Sequence, residues 1–284
     1  MGKLSQIFET TDGHHTLDAD ATLILTDIYR TMKEAQRQQL VAVPTLLANR
    51  LGPESIPGSS VTVKLQDKDS LAFARKGEGA KAYEDAPTYS SLTFTPLVYS
   101  ADIPLTDEVM EDSLFDLLRL ATTEAGYQAA KRIDKLFFAA VESGSTSASH
   151  DVSLSGNMTV ANILSAQNNL RADDYTPTDI VLNVNHVDDI MLLDTFTEKD
   201  KAGVNDPSQG LIGRIFNMNV HVTNNSNTSN TSYVLDRANA VLMAEKRPLR
   251  VEPWRDGRAG KQGFTATFRT TLGYYRDQAN SVLS

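Results

Sequence analysis

The stretch DSLFDLLRLATTEAGYQAAKRIDKLFFAAVESG, residues 112–144, constrains the fold of this chain more than any other. It opens on Asp112 and Ser113, side chains able to accept a first-turn N–H, and closes at Gly144, a usual helix stop. Leu114, Leu118, Ala121, Ala125, Ala129, Ile133, Leu136 and Ala140 recur at helical spacing and trace one apolar face. About 30 residues at about 1.5 Å each make a rod of about 45 Å. Average globular helices run to about 11 or 12 residues, so this one is expected to serve as a spine.

The segments before the spine have a different character. Residues 15–50 read as an N-terminal arm with one helix, in which Leu25, Ile28, Tyr29 and Met32 share a face. Pro44, Gly52, Pro53, Pro57 and Gly58 then break the chain. From residue 60 to 105 the period drops to two, with Val61, Val63 and Leu65 on one side and Leu92 and Phe94 on the other. That alternation predicts a long hairpin whose polar, glycine-containing tip is KGEGAKAYEDAP. After the spine, helix and strand alternate. Thr159 is placed to cap VANILSAQNNLR, with Val160, Ile163 and Leu164 inward; PTDIVLNV reads as a buried strand and NHVDDIMLLDTF as a short helix. The chain ends on strands, among them LRVEPW and FTATFRTTLGYYR.

Composition excludes several classes of function. Apolar residues make up 40% of the 284 and charged residues 22%, the balance of a folded chain. No cysteine is present, which excludes disulfides, thiol catalysis and cysteine-ligated zinc. No apolar run spans a bilayer, so no membrane partner is expected. Net charge is −9, unevenly spread: residues 101–244 balance at −11 and residues 245–284 at +4. That asymmetry fits either an ordinary acidic protein with a basic tail or neighbouring copies whose opposite charges meet. Nothing in it resembles a basic nucleic-acid-binding surface.

The candidate catalytic groups do not converge. His14 and His15, near Asp12, Asp18 and Asp20, read as a solvated pair rather than a metal site. His186 with Asp188 and Asp189 reads as a helix opening, where acidic side chains suit the positive end of the dipole, rather than an acid–base cluster. His150 and His221 stand alone. GRAGKQG lacks the spacing, the trailing Ser or Thr and the following helix of a phosphate-binding loop. No catalytic residue, metal or cofactor is expected. One puzzle remains: GLIGRIFNMNVHVT supplies a good strand, in which Met218, Val220 and Val222 alternate with Asn219, His221 and Thr223, between two long polar loops. These are TEKDKAGVNDPSQG and NNSNTSNTS, and neither carries a catalytic side chain.

The order of parts is more telling than any motif. An arm, a long hairpin, a spine helix, an α/β segment and returning strands resemble the major capsid protein of tailed double-stranded DNA viruses, the Hong Kong 97 fold. NILSAQNNLRADDYTPTDIVLNVNHVDDIMLLDTF and GLIGRIFNMNVHVTNN are similar to that family's A-domain, and AVLMAEKRPLRVE followed by FTATFR to its return into the P-domain. The family's usual glycine before the hydrophobic strand is Asn217 here, which still tolerates a tight turn. The resemblance implies an α+β chain divided as residues 1–55 N-terminal arm, 56–100 E-loop hairpin, 101–144 P-domain with spine helix, 145–244 A-domain and 245–284 return strands of the P-domain.

The same resemblance implies a structural shell protein and no enzyme. It would assemble with itself as pentamers and hexamers around packaged double-stranded DNA, which it binds without sequence specificity. The polar loops would then be symmetry-axis and surface loops, and contact their work. A separate scaffolding protein is expected, because only about 55 residues precede the hairpin, together with a portal. The protein would be made in the host cytoplasm and reside in the virion. Some members cross-link subunits through lysine; Lys64, Lys68, Lys76 and Lys81 lie in the hairpin and are read as solvated. In the family the E-loop lies over a neighbouring P-domain. Arg75, Lys76 and Lys81 of the hairpin tip are therefore expected to meet Asp107, Glu108, Glu111 and Asp112 of an adjacent copy, with a solvated mixed-charge loop as the alternative. An encapsulin-type nanocompartment shell is the competing reading within this fold, and an unrelated α+β enzyme the one outside it.

Overall fold

The computed structural model describes residues 29–32, 42–68, 70–79, 81, 83–108, 117–191 and 214–284. The helix N-cap at Asp112 or Ser113, the side chains of Leu114 and Leu118, His14, His15 and the loop TEKDKAGVNDPSQG lie outside the described residues. Of the expected arm helix only residues 29–32 are described; they are helical, with Met32 fully buried.

The elements run α1 (Ala42–Thr45), β1 (Asn49–Leu51), β2 (Val61–Gln66), β3 (Tyr89–Phe94), β4 (Leu97–Thr106), α2 (Leu117–Ala148), β5 (Asp151–Val152), α3 (Val160–Ala172), β6 (Asp179–Asn183), α4 (Val184–Met191), β7 (Arg214–Ile215), β8 (Met218–Thr223), β9 (Ser232–Leu235), β10 (Val241–Asp256), β11 (Lys261–Tyr274) and β12 (Asn280–Leu283). The described residues form three sheets: β1-β10-β11-β4, β5-β12-β9-β6-β8-β7, and the two-stranded β2-β3 hairpin.

The six-stranded sheet is covered on both faces, and side-chain alternation shows why. Val181, Tyr233, Leu235 and Val282 join Phe137, Phe138, Ala140 and Val141 of α2 in one core. Their sequence neighbours Ile180, Leu182, Val234 and Leu283 point the other way, onto Ile163, Ala166 and Leu170 of α3 and Ile190 of α4. Strands buried on both sides read as continuous apolar runs, as DIVLN does here. Phe138 stacks on Tyr233 with ring centroids 4.7 Å apart, and Phe137 meets Phe138 edge-on at 5.4 Å.

Helix α2 is the expected spine, with two differences. It runs 32 residues to Ala148, about 48 Å, instead of stopping at Gly144. Gly144 lies inside the helix because of close packing: a Cβ there would stand 2.7 Å from Asn280 Nδ2 and 3.1 Å from Tyr274 Cβ. The buried stripe is also rotated by one residue. Thr122, Gly126, Ala130, Ile133, Asp134, Phe137 and Val141 face inward, while Ala121, Ala125, Ala129 and Leu136 are half-buried flanks. Glycine, threonine and aspartate carry no hydrophobic signal, so periodicity settled on the flanking alanines. Earlier along α2, Arg132 lies over the Tyr99 ring at 5.0 Å, and Tyr99 stacks on Phe268 of β11. The spine thus touches both large sheets.

Local signals account for the remaining elements. Thr159 accepts from Asn162 N–H at 3.3 Å and Asn162 Oδ1 accepts from Thr159 N–H at 3.3 Å, a complete capping box. Ile163 is buried as expected, but Val160 and Leu164 are half-buried; Ala166, Gln167 and Leu170 complete the inward face. Phe216 and Asn217 turn β7 into β8 with φ of 48° and 69°, the left-handed geometry that Asn tolerates in a two-residue hairpin. The alternation expected for β8 fails at its end, where Val222 is exposed and Thr223 buried. Among the described residues β7 pairs only with Met218 and Asn219, and no strand covers that side of β8 beyond them. There Thr223 turns inward and accepts from Asn225 N–H at 3.1 Å.

Candidate functional site

The β2-β3 hairpin projects from the body. Its root packs Val61, Val63, Leu92 and Phe94 against Leu242, Ala244 and Tyr275. Between Gln66 and Tyr89 the described residues form no helix or strand. Ala72 N–H donates to Asp85 Oδ2 at 3.0 Å across the two limbs. Leu71, Phe73, Tyr83 and Tyr89 are exposed there, Phe73 completely. Apolar side chains carried outward on a two-stranded ribbon have no core of their own to join.

Arg75, Lys76 and Lys81 are exposed at this tip and make no ion pair among the described residues. Of their expected acidic partners, Glu111 and Asp112 lie outside the described residues and Glu108 is exposed. Asp107 is engaged within its own chain: its N–H donates to Gly260 O at 3.0 Å, and Oδ2 lies 3.7 Å from Arg255 Nη2. Among the described residues, no ion pair within one chain joins the hairpin cations to Asp107 or Glu108. Lys68, read as solvated, is instead bound. Its ammonium donates to Asp173 O, lies 3.1 Å from Asp174 Oδ2 and sits 5.8 Å from the Tyr175 ring centre.

The Asn/Ser/Thr-rich loop is anchored to the spine. Glu142 accepts from Asn227 Nδ2 at 2.7 Å, from Thr228 N–H and Oγ1–H at 3.0 Å each, and from the Tyr233 hydroxyl at 2.8 Å. About two turns earlier, buried Asp134 accepts from Asn225 Nδ2 at 3.2 Å and from Ala42 N–H at 3.1 Å. Asn183 Nδ2 donates to Ser226 Oγ at 2.9 Å from the other side. A loop so rich in donors needs acceptors, and two carboxylates on one helix supply them. Burial first, then the Glu142 charge, pushes the Tyr233 hydroxyl far above its ordinary pKa and keeps it a donor. Sequence reading missed both carboxylates, because partners 85 or more residues apart leave no local pattern.

The three described histidines are held in hydrogen bonds within the fold. His150, expected to stand alone, is buried between Asn280 O on Nδ1 at 3.1 Å and Asp173 Oδ2 on Nε2 at 3.0 Å. His221, also expected alone, meets Asp179 Oδ1 at 3.0 Å. Burial raises the Asp179 carboxyl, but hydrogen bonds from His221, Thr178 and Asn219 outweigh it, and its pKa falls below the ordinary value. His186 meets Ser232 Oγ at 2.9 Å, and burial lowers its pKa against the opposing charge of Asp189. Among the described residues no group of three metal-ligating side chains forms, and no helix is long and apolar enough to cross a membrane.

The described residues thus form a two-sheet body, a hairpin that carries exposed apolar side chains outward, and one donor-rich loop pinned to the spine. Curated protein sequences give no match. Among solved structures, the capsid of cyanophage P-SCSP1u is similar with a TM-score of 0.68 and 10% identity, covering 99% of this chain and 93% of that one. The structure from Microbacterium phage Oxtober96 gives 0.67 at 12% identity, covering 87% and 91%. The virus-like particle of Pyrococcus furiosus gives 0.59 at 10% identity, covering 92% and 99%. At such identities the likeness establishes the fold, which is the α+β Hong Kong 97 type. The profile of the phage capsid protein family matches residues 89–277, more than half of the chain, and the chain belongs to that family.

Proposed function

We propose that this protein is the major structural subunit of an icosahedral phage shell, assembling with itself as pentamers and hexamers around packaged double-stranded DNA. A separate scaffolding protein and a portal are its expected partners, the virion its destination and the host cytoplasm its place of synthesis. The carrying observation is the hairpin: Phe73, Leu71 and Tyr83 are presented to solvent on a ribbon without a core, an arrangement stable only against another surface. On this reading residues 1–55 are the arm, 56–100 the E-loop, 101–144 and 245–284 the P-domain and 145–244 the A-domain. DNA is enclosed rather than read, in keeping with the net charge of −9. Electron microscopy of the full chain, expressed with and without scaffold, tests the proposal. Closed shells or their rings are expected; a monodisperse monomer under every assembly condition would overturn it.

A second reading has one observation in its favour. The likeness to the Pyrococcus furiosus virus-like particle covers 99% of that chain, so an encapsulin-type shell is the alternative, at a lower TM-score of 0.59. Shells that co-purify with one cargo enzyme, from a locus without terminase or portal genes, would favour it.

A further inference from the structure

The hairpin is fastened to the body at two separated points. The inner one is the apolar root, where Val61, Val63, Leu92 and Phe94 meet Leu242 and Tyr275. The outer one is Lys68, two residues beyond the end of β2. Among the described residues, no hydrogen bond or ion pair joins residues 70–88 to the body farther out. One fastening leaves a hinge, whereas two fix a direction.

The surface that Lys68 grips is itself rigid. Asp174 N–H and Tyr175 N–H wind back onto Arg171 O at 3.1 Å and Leu170 O at 3.0 Å, closing the end of α3, and Asp174 adopts φ of 62°. Asp173 is locked from behind, its carboxylate 3.0 Å from buried His150 Nε2, whose Nδ1 meets Asn280 O. Lys68 adds a cation at a helix C-terminus, where the dipole favours one. The ion pair with Asp174 cannot hold the hairpin alone, because the Asp174 side chain is 84% exposed. The bond to Asp173 O and the stacking over Tyr175 complete a three-point grip.

We propose that Lys68 is a positioning residue that sets the angle of the hairpin against the α/β layer of its own subunit before assembly. This rests on the reading of the hairpin as a subunit contact. A tip aimed in advance loses less conformational freedom on docking, which speeds productive assembly.

The chain has no cysteine, so two introduced ones can be labelled cleanly. Spin labels at Glu78→Cys on the tip and Ser165→Cys on the exposed side of α3 report the angle by pulsed electron paramagnetic resonance. Excess unlabelled chain makes every measured pair intramolecular, whether or not shells form. A narrow distance distribution is expected in the parent. Lys68→Met keeps the aliphatic stem but lacks donors and should lose the narrow peak at unchanged circular dichroism. Lys68→Arg, able to reach the same carbonyl and carboxylate, should restore it. A narrow peak in Lys68→Met, or an Arg variant as broad as the Met variant, would overturn the grip. Assembly followed by light scattering should be slower in Lys68→Met and near normal in Lys68→Arg. Parent-like assembly by Lys68→Met, despite broadened distances, would overturn the positioning role. Failure of the parent itself to form shells would instead overturn the shell reading and leave the distance result standing.

Discussion

The Tyr233 hydroxyl donates to Glu142 Oε1 across 2.8 Å, joining the centre of a buried strand to the spine helix. The same carboxylate takes three further hydrogen bonds from Asn227 and Thr228, so one side chain holds both the strand and the loop before it. Glu142→Ala should therefore cost about 2–4 kcal/mol, since a buried hydroxyl loses its acceptor and charge-assisted bonds are lost together. Tyr233→Phe removes both the donor and its need for a partner, and should cost only about 1 kcal/mol. Chemical denaturation checks the ranking, and hydrogen exchange should speed up across residues 224–231 in Glu142→Ala alone.

Gly144→Ala sets two effects against each other. In a helix interior the substitution gains about 1 kcal/mol of propensity. The new Cβ, however, would fall 2.7 Å from Asn280 Nδ2, which donates to Arg276 O at 2.9 Å and lies near Ala240 O and Asp277 O. Those carbonyls keep backbone donors from Ala279, Tyr275 and Asn280, but displacing the amide leaves the buried Asn280 Nδ2 donor unpaired, at about 1–3 kcal/mol. The variant should be less stable than the parent by thermal denaturation, and a raised midpoint would show that Asn280 yields freely.

Ala130 lies on the buried stripe with no exposed surface, whereas Ala129 lies on its half-buried flank. Ala130→Asp should place an unpaired carboxylate at a fully buried position, at a cost of several kcal/mol, and give insoluble protein. Ala129→Asp should remain soluble. Solubility of the two variants expressed side by side decides whether the stripe is oriented as described.

What the sequence made legible was local or periodic. Thr159 announced α3, Asn217 the turn into β8, and the run DIVLN a strand buried on both faces. The long helix was plain, but its inward face was not, because Thr122, Gly126 and Asp134 are buried there without any hydrophobic signal, and Asp134 answers donors from Ala42 and Asn225 far along the chain. Gly144 read as a stop for the same reason: its meaning lies in Asn280, at the other end of the chain. Lys68, His150 and His221 were each assigned no partner, and each has one contributed by a segment far along the sequence. Contacts that depend on topology are invisible until the topology is known.

Acid should destabilise the subunit in two stages. The folded-state pKa of His186 lies below the ordinary 6.5, so the unfolded chain binds the proton more readily. Its contribution is complete above pH 6.5 and is lost as pH falls through the lowered value. Asp179, depressed below 3.8, contributes above that pH and loses its share only in stronger acid. Denaturation midpoints from pH 8 to 5 should fall in the parent and fall less in His186→Gln. Equal slopes in the two proteins would remove His186 from the account.

The hairpin tip offers the test closest to assembly. Arg75, Lys76 and Lys81 are exposed and unpaired within the described chain, while Asp107 is already engaged by Arg255. Among the described acidic residues of that set, a partner in a neighbouring copy would compete with Arg255 for Asp107 or meet Glu108, which is exposed. Exposed pairs contribute at most about 1 kcal/mol each and are screened by salt. One such pair is negligible, but the same pair repeated at every subunit contact stabilises the whole shell. Reversing Arg75, Lys76 and Lys81 to Glu should leave subunit folding intact, since none of the three contacts the core. Shell dissociation temperature should drop in low salt, and the deficit should shrink as salt rises. Particles that melt like the parent across a salt series would make these three cations ordinary solvated charges, and would leave Phe73 and its apolar neighbours as the tip's contribution to contact.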